Sequence, residues 1–201
     1  MTLASGAIGY LVGSLPLGYL VARRWAGVDL RRVGSGNVGA TNVLRVSGPW
    51  LGVLVMVVDI AKGVAALALA VPVAQSNADS VTAGVAAVAG HMFPIWLGGR
   101  GGKGVATACG VFSALAPLPT ACAAVVFVLT AWATRLVSAG SVVATATLPL
   151  MAAWFGSPRP VVSGSLATSV LIVWRHRGNL QRVWRGTERR LGRRDMGDPR
   201  A

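Results

Sequence analysis

Long apolar runs, separated by short segments rich in glycine, proline and arginine, constrain the fold of this chain more than any other feature. A helix rises about 1.5 Å per residue, so roughly 20 apolar residues cross the hydrocarbon core of a bilayer. The runs and their breaks predict about seven helices, near residues 3–24, 50–73, 80–97, 103–118, 119–136, 140–156 and 160–175. Hydrophobic residues make up 54% of the chain and charged residues only 12%, which excludes an ordinary soluble domain. We therefore expect an all-α, polytopic membrane helix bundle.

The positions of the 19 Lys and Arg residues predict the orientation of this bundle, because cations near helix ends stay on the cytoplasmic side. With the N-terminus outside and seven helices, every cation except Arg159 and Lys62 falls in an inner loop or in the C-terminal tail. An even number of helices, or the reverse orientation, would scatter these charges. We expect a transmembrane catalytic domain over residues 1–180 and a basic cytoplasmic tail over 181–201. For that tail, attraction to anionic lipid headgroups is favoured over nucleic-acid binding.

The first polar motif runs from Ser35 to Arg45 on the predicted cytoplasmic side. Glycine at positions 34, 36 and 39 allows the backbone N–H groups to turn toward one point. Hydrogen-bonding side chains and one cation complete the motif: Ser35, Asn37, Thr41, Asn42 and Arg45. Such a loop suits a phosphate group. The alternative is an ordinary Gly/Asn turn that joins two helices.

The second motif, from Gly98 to Thr107, places five glycines around Arg100 and Lys103 and leads directly into an apolar helix. An anion at that helix N-terminus would meet free N–H groups, the positive end of the helix dipole and the Lys103 ammonium. The nucleotide-binding P-loop pattern is not matched, because Gly104 rather than Ser or Thr follows the lysine. The alternative is a flexible re-entrant linker.

The third motif ends the last apolar run and contains Arg175, His176, Arg177 and Asn179. The two flanking arginines favour a neutral imidazole at position 176, which donates from one ring nitrogen and accepts at the other. An interfacial Trp-Arg-His belt is the alternative reading. A smaller polar cluster, formed by Arg135, Ser138 and Ser141, falls in the remaining inner loop.

Three further polar residues lie inside apolar helices, where ionisable groups are costly and usually turn inward. Asp59 and Lys62 are spaced i and i+3, so they share one helix face, and we favour a structural pair that lines a polar cavity over a direct catalytic role. For His91, core packing or helix–helix hydrogen bonding is favoured over direct chemistry.

Taken together, these residues resemble the bacterial acyl-phosphate-dependent glycerol-3-phosphate 1-acyltransferases, which are polytopic membrane enzymes. The resemblance runs nearly end to end and includes Gly13 to Pro16, Ser35 to Arg45, Asp59 to Gly63, Gly90 to Thr107, Thr134-Arg135 with Ser138 and Ser141, and Arg175-His176 with Asn179. Two departures bear on the local shape of the donor site. Gly99 stands where the family usually has an aromatic residue, and Leu136 stands where a tyrosine is common.

The resemblance implies transfer of a fatty acyl group from acyl phosphate to the 1-hydroxyl of glycerol 3-phosphate, as the first step of phospholipid synthesis. It implies a multi-pass protein of the bacterial inner membrane with a site that faces the cytoplasm. Glycerol 3-phosphate, acyl phosphate and membrane lipids are the expected partners, with no cofactor, metal or nucleic acid. The motifs and the resemblance together predict catalytic roles for Ser35, Lys103, His176 and Asn179, and binding roles for Asn37, Gly39, Asn42, Arg45, Gly101, Gly102, Gly104 and Ser141.

The proton acceptor stays open at this stage, because the His-x4-Asp dyad of other acyltransferases is absent after both His91 and His176. Either His176 is the base, or a substrate phosphate oxygen takes the proton while His176 orients the hydroxyl. The second scheme is slightly preferred. Two other classes remain as alternatives: an organic-phosphate transporter, which also needs glycine-rich anion-binding loops, and a noncatalytic lipid-binding scaffold.

Overall fold

The computed structural model of the chain describes residues 1–192 and shows ten α-helices and no β-strand over that range. The helices are α1 (Thr2–Ser14), α2 (Leu17–Ala26), α3 (Ala40–Ser47), α4 (Pro49–Ala70), α5 (Asn77–Met92), α6 (Val105–Leu115), α7 (Pro117–Thr134), α8 (Val137–Trp154), α9 (Arg159–Arg175) and α10 (Arg177–Trp184). Short 3₁₀ turns, Val71–Val73 and Ile95–Leu97, follow α4 and α5. Arg193, Arg194 and Arg200 of the predicted basic tail lie outside the described residues.

Five segments of the described chain are long and apolar enough to cross a membrane: Thr2–Ala26, Pro49–Val73, Asn77–Leu97, Pro117–Thr134 and Val137–Trp154. Two further helices of the bundle are shorter: the apolar α6 has 11 residues, and α9 has 17. The expected all-α membrane bundle is therefore confirmed. The count of seven spanning helices and the orientation of the termini stay predictions.

The first predicted helix is divided in two at Leu15-Pro16. Proline has no N–H group, and its ring disfavours the helical conformation of the residue before it. Leu15 accordingly leaves the helical region, with φ −59° and ψ 121°, and α2 begins at Leu17. The break leaves the Leu15 carbonyl free of helical pairing, and the Lys62 ammonium of α4 donates to it at 3.1 Å. The division thus places a polar acceptor inside the bundle.

Glycines set the spacing between α4 and α6, the helix that carries the second motif at its start. A side chain at Gly63 would overlap the carbonyl oxygen of Thr107, and one at Gly110 would overlap the carbonyl oxygen of Ile60. Small residues of this kind let helix backbones approach closely, which is the usual way that membrane helices pack. The N-terminus of α6 is consequently held against α4 by backbone contacts.

Two apolar clusters fix the loops at one end of the bundle. The larger cluster joins the six helices from α4 to α9 and contains the fully buried side chains Met92, Phe112 and Ile172. The smaller cluster lies between α2, α3 and α4 and includes Leu30 and Val43. Val38 of the first motif belongs to the smaller cluster, and Met92 of the larger cluster lies against Gly104 of the second motif. Both polar loops are therefore packed against the apolar core.

Candidate functional site

One cavity of about 550 Å³ opens at the end of the bundle where the polar motifs meet. Its lining combines the first motif, the start of α6, the inner faces of α7 and α8, and the α9–α10 junction. Every predicted site residue lines it except Gly101 and Gly102. The three motifs, which are far apart in the sequence, are therefore brought together at one cavity.

The glycine-rich loop of the second motif folds back on the end of α5. The N–H of Gly101 donates to the carbonyl of Met92 and the N–H of Gly102 donates to the carbonyl of His91, both at 3.1 Å. These two N–H groups are engaged within the fold, so the backbone donors available to an anion begin at Lys103. Gly104 has φ 84°, a left-handed conformation that favours glycine, and from it the chain enters α6.

The start of α6 offers free backbone donors to the cavity. The first hydrogen bond into this helix joins the Ala108 N–H to the Gly104 carbonyl, at 2.8 Å. The N–H groups of the preceding residues in the first turn have no carbonyl partner within the helix. Since the positive end of the helix dipole lies at the same point, the loop is suited to hold an anion such as phosphate.

Side chains of the other two motifs fix the loop from its outer side. The guanidinium of Arg175 donates to the carbonyls of Gly101 and Gly102, at 3.0 and 3.1 Å. The amide of Asn37 donates to the Gly101 carbonyl at 3.3 Å. The sequence indicates a role for Arg175 only as a neighbour of His176. In the structure, its hydrogen bonds to Gly101 and Gly102 connect the third motif to the second.

Lys103 is the cation that this loop presents to the cavity. Its ammonium donates to the Asn179 Oδ1 at 2.5 Å. Burial lowers the pKa of Lys103 to about 8, the Glu188 carboxylate opposes that shift, and the guanidinium groups of nearby arginines add to it. At neutral pH the Lys103 side chain is therefore mostly protonated. Its charge is destabilised by burial and by the nearby guanidinium groups, and a bound anion would stabilise it.

His176 lies at the α9–α10 junction with only 2% of its surface exposed. Its Nδ1 is 2.8 Å from the carbonyl of Ile172, and because a carbonyl only accepts, Nδ1 carries the proton. Nε2 keeps its lone pair as an acceptor. Burial, reinforced by the Lys103 charge, lowers the pKa of His176 to about 4. The imidazole is neutral at pH 7, as expected from the sequence, and is a weak base.

Glu188 is the residue of this site that the sequence analysis missed. Its carboxylate accepts hydrogen bonds from Asn179 Nδ2 at 2.6 Å, Ser138 Oγ at 2.8 Å and Arg182 Nε at 2.8 Å. Burial disfavours the ionised carboxylate, but these three donors outweigh it and hold the pKa of Glu188 below its ordinary value. The carboxylate thus orients Asn179, whose other amide atom accepts from Lys103.

Glu188 falls within residues 181–201, which the sequence predicts to form a basic cytoplasmic tail because arginines dominate that segment. Arg185, Arg189 and Arg190 lie within three residues of it, and a charge run of this kind is usually solvated. The signal that was available is the single acidic residue in that run. In the structure the segment after α10 returns to the bundle, where the Leu191 N–H donates to the Arg135 carbonyl at 2.8 Å.

The first motif forms a loop at the mouth of the cavity, and side-chain hydrogen bonds fix its conformation. The Asn42 side chain accepts from the Ser35 N–H at 2.8 Å and donates to the carbonyls of Leu30 and Val33. These bonds show that Asn42 holds the shape of the loop. The exposed side chain of Ser35 and the guanidinium of Arg45 lie at the cavity, where Arg45 also donates to the Arg189 carbonyl at 3.4 Å.

The inner half of the cavity is apolar. It is lined by Ala108 and Cys109 of α6, by Phe127 of α7 and by Ala144 and Leu148 of α8. Ser141 of α8 also lines the cavity, and its hydroxyl donates to the Val137 carbonyl at 2.9 Å. A cavity with cations at one end and hydrocarbon side chains at the other fits a molecule with an anionic head and an apolar tail.

Residues 3–186 match the family model described as glycerol-3-phosphate acyltransferase. A glycerol-3-phosphate acyltransferase of Synechococcus sp. (strain CC9902) is 44% identical over 187 residues, which cover 92% of this chain and 93% of the relative. Another, from Parasynechococcus marenigrum (strain WH8102), is 46% identical over 189 residues, with coverage of 94% and 89%.

Two solved structures are also similar to this chain. The crystal structure of PlsY (YgiH), an integral membrane glycerol 3-phosphate acyltransferase in its glycerol 3-phosphate form, superposes with a TM-score of 0.88 at 40% identity. The alignment covers 95% of this chain and 96% of that one. The lysophosphatidic acid form of PlsY gives a TM-score of 0.87 at 38% identity, with 95% of each chain covered.

Proposed function

This chain belongs to the glycerol-3-phosphate acyltransferase family, and from that premise we propose that it transfers a fatty acyl group from acyl phosphate to the 1-hydroxyl of glycerol 3-phosphate. The products are lysophosphatidic acid and inorganic phosphate. The observation that carries the proposal is the cavity itself, in which Lys103 and the start of α6 are suited to bind an anion while the inner half is mostly apolar. The glycerol 3-phosphate and lysophosphatidic acid forms of the solved relative support the same substrate and product here.

Acyl phosphate as the donor is supported by the number of anion sites and by the weakness of the available base. Two loops, one ending at Arg45 and one at Lys103, present cations to the same cavity, and both substrates carry a phosphate group. Acyl phosphate is already activated, so positioning and charge stabilisation supply most of what the reaction needs. A His176 whose pKa is about 4 is consistent with a reaction that does not depend on a strong protein base.

In the mechanism that we propose, the glycerol hydroxyl oxygen attacks the acyl carbonyl carbon. A new C–O ester bond forms, the bond between that carbon and the bridging phosphate oxygen breaks, and phosphate leaves with the electron pair. The hydroxyl proton passes to a phosphate oxygen, while the His176 Nε2 lone pair accepts a hydrogen bond from the other hydroxyl of glycerol 3-phosphate and so orients the substrate. Lys103, held by Asn179, stabilises the negative charge that develops on oxygen.

The protein is an integral membrane protein, and we place it in the bacterial inner membrane with the cavity open to the cytoplasm. The arginines and Lys103 that surround the cavity mouth support this orientation, because cationic loops stay on the cytoplasmic side. Both proposed substrates are then accessible, since glycerol 3-phosphate is soluble and acyl phosphate reaches the apolar half through the membrane.

A direct assay tests the proposed function. Protein purified in detergent is given radiolabelled glycerol 3-phosphate and acyl phosphate, and we expect labelled lysophosphatidic acid with release of one phosphate per product. Lys103→Ala should reduce this turnover by at least about a hundredfold, since it removes the cation at the developing charge. Arg100→Ala is the matched control, because Arg100 is an exposed cation of the same loop that does not line the cavity.

Uptake of glycerol 3-phosphate into vesicles without covalent product would refute the enzyme and support the transporter. Equal loss of activity in Lys103→Ala and Arg100→Ala would remove Lys103 from the assigned role.

A further inference from the structure

Three titratable side chains lie buried beneath the glycine-rich loop and take no part in the proposed reaction. They are Asp59, Lys62 and His91, which are 2%, 4% and 8% exposed. Charged groups so far from water are stable only when they are paired and fully hydrogen-bonded. Their arrangement therefore has to be accounted for group by group.

The Lys62 ammonium has three N–H donors and meets three acceptors. Asp59 Oδ1 lies 3.2 Å from Nζ, and His91 Nδ1 lies 3.0 Å from it. The third acceptor is the carbonyl of Leu15, at the break between α1 and α2. His91 Nδ1 also lies 3.5 Å from Asp59 Oδ1, so both charged partners contact the same edge of the imidazole. Lys62 and Asp59 thus fix the rotation of the His91 ring.

The opposite edge of the His91 ring lies against Gly102. A Cβ atom at position 102 would overlap His91 Nε2 and would come within 2.9 Å of Cε1 and 3.0 Å of Cδ2. All three nearest atoms belong to this one imidazole. Within residues 1–192, Nε2 makes no hydrogen bond, and His91 also lines the substrate cavity. The ring is therefore a rigid surface on which the backbone of Gly102 sits, one residue before Lys103.

We propose that Asp59, Lys62 and His91 form a positioning triad. In this triad the imidazole of His91 contacts the backbone of Gly102 and thereby fixes the position of Lys103 in the cavity. This inference rests on the proposed function, because a displaced Lys103 is expected to change the KM for glycerol 3-phosphate. His91 acts through the loop and is a positioning residue. Glycine at 102 is required by the ring and not by backbone strain, since Gly102 is not among the residues with positive φ.

The test uses a clash and its relief. Gly102→Ala should raise the KM for glycerol 3-phosphate about tenfold or more while kcat changes less, because the new methyl group pushes the loop off the ring. His91→Asn removes the ring edge but keeps an acceptor near the Nδ1 position for Lys62. Alone it should also raise that KM, because Gly102 loses its support. The double variant should lie closer to wild type than either single variant, since the methyl group fills the vacated space.

A neighbouring glycine provides the matched control. A Cβ atom at Gly101 would overlap the backbone carbonyl of His91 and lie 2.5 Å from the Pro94 ring, so the obstacle does not depend on the His91 side chain. Gly101→Ala should therefore gain nothing from His91→Asn. If Gly102→Ala yields no folded protein, recovery of monodisperse protein in the double variant reports the same contact.

The outcomes separate the two proposals. An active wild type in which His91→Asn gives no relief of Gly102→Ala, or relieves Gly101→Ala equally, would overturn the positioning triad. A wild type that makes no lysophosphatidic acid would instead overturn the proposed function, and calorimetric titration of glycerol 3-phosphate would then still measure whether the loop contact affects anion binding.

Discussion

The lowered pKa of Lys103 can be tested directly from the basic limb of the pH–rate profile. With a pKa of about 8 in the free protein, about nine-tenths of Lys103 is cationic at pH 7 and about one-tenth at pH 9. The cation is the form that binds phosphate, so it is lost as the pH rises through that pKa. We expect kcat/KM for glycerol 3-phosphate to fall about tenfold between pH 7 and pH 9, since this ratio reports the free enzyme.

The assay is the initial rate of labelled product at glycerol 3-phosphate concentrations well below KM, from pH 7 to pH 10. A phosphate monoester has its second pKa near about 6, so the substrate stays dianionic over this range. The remaining acyl phosphate is measured at each pH to correct for its hydrolysis. At saturating glycerol 3-phosphate the fall should be smaller, because a bound anion raises the pKa of the ammonium group.

Lys103→Arg supplies the control for this limb. A guanidinium group stays charged throughout the range, so the fall between pH 7 and pH 9 should disappear even if the longer side chain lowers the absolute rate. If kcat/KM of Lys103→Arg fell over the same pH range as in the wild type, or if the wild-type profile were flat to pH 9.5, the assignment of the basic limb to Lys103 would be refuted.

Three further predictions follow from the site and from the charge distribution. His176→Asn should retain measurable turnover, with a loss below about a hundredfold, because Asn still orients a hydroxyl; a correctly inserted variant that binds glycerol 3-phosphate without any turnover would make His176 the base. Glu188→Gln should lower kcat/KM about tenfold and reduce the thermal stability in detergent, because one amide N–H would face a donor; unchanged values for both would remove Glu188 from the site. In a chain whose native cysteines are replaced by alanine, a cysteine at Ala78 should label from outside intact cells and one at Arg100 should not; the reverse pattern would contradict the orientation.

The sequence was sufficient for the membrane fold because apolar run length is a direct physical requirement of the bilayer. It did not predict the division of the first helix into two at Pro16, since a proline inside a membrane helix produces either a kink or a full break. The short helices α3 and α10 were also not foreseen. Each has eight residues, and helices of that length depend on tertiary packing more than on local pattern.

The site could be predicted where the chemistry is local and not where it is long-range. Glycines beside Lys103 and arginines beside His176 are visible within a few residues, and both side chains lie at the cavity. The bond between Glu188 and Ser138 joins residues 50 positions apart and leaves no local pattern. The engagement of the Gly101 N–H with the end of α5 was hidden for the same reason.

The two family departures fall outside the cavity. Neither Gly99 nor Leu136 lines it. Gly99 has φ 75° with open space around its Cα, and Leu136 caps the start of α8. The shape of the inner apolar half therefore depends on other residues of α6, α7 and α8.

The return of the segment after α10 to the bundle has a consequence for biogenesis. Chains are synthesised from the N-terminus, and their earlier parts insert and pack first. Lys103 and Asn179 both precede Glu188 in the chain, so the hydrogen-bond network that orients them is completed by one of the last site residues to be synthesised. A chain whose synthesis stops before this carboxylate would lack the acceptor that orients the Asn179 amide, and we expect it to be less active than a chain that includes Glu188.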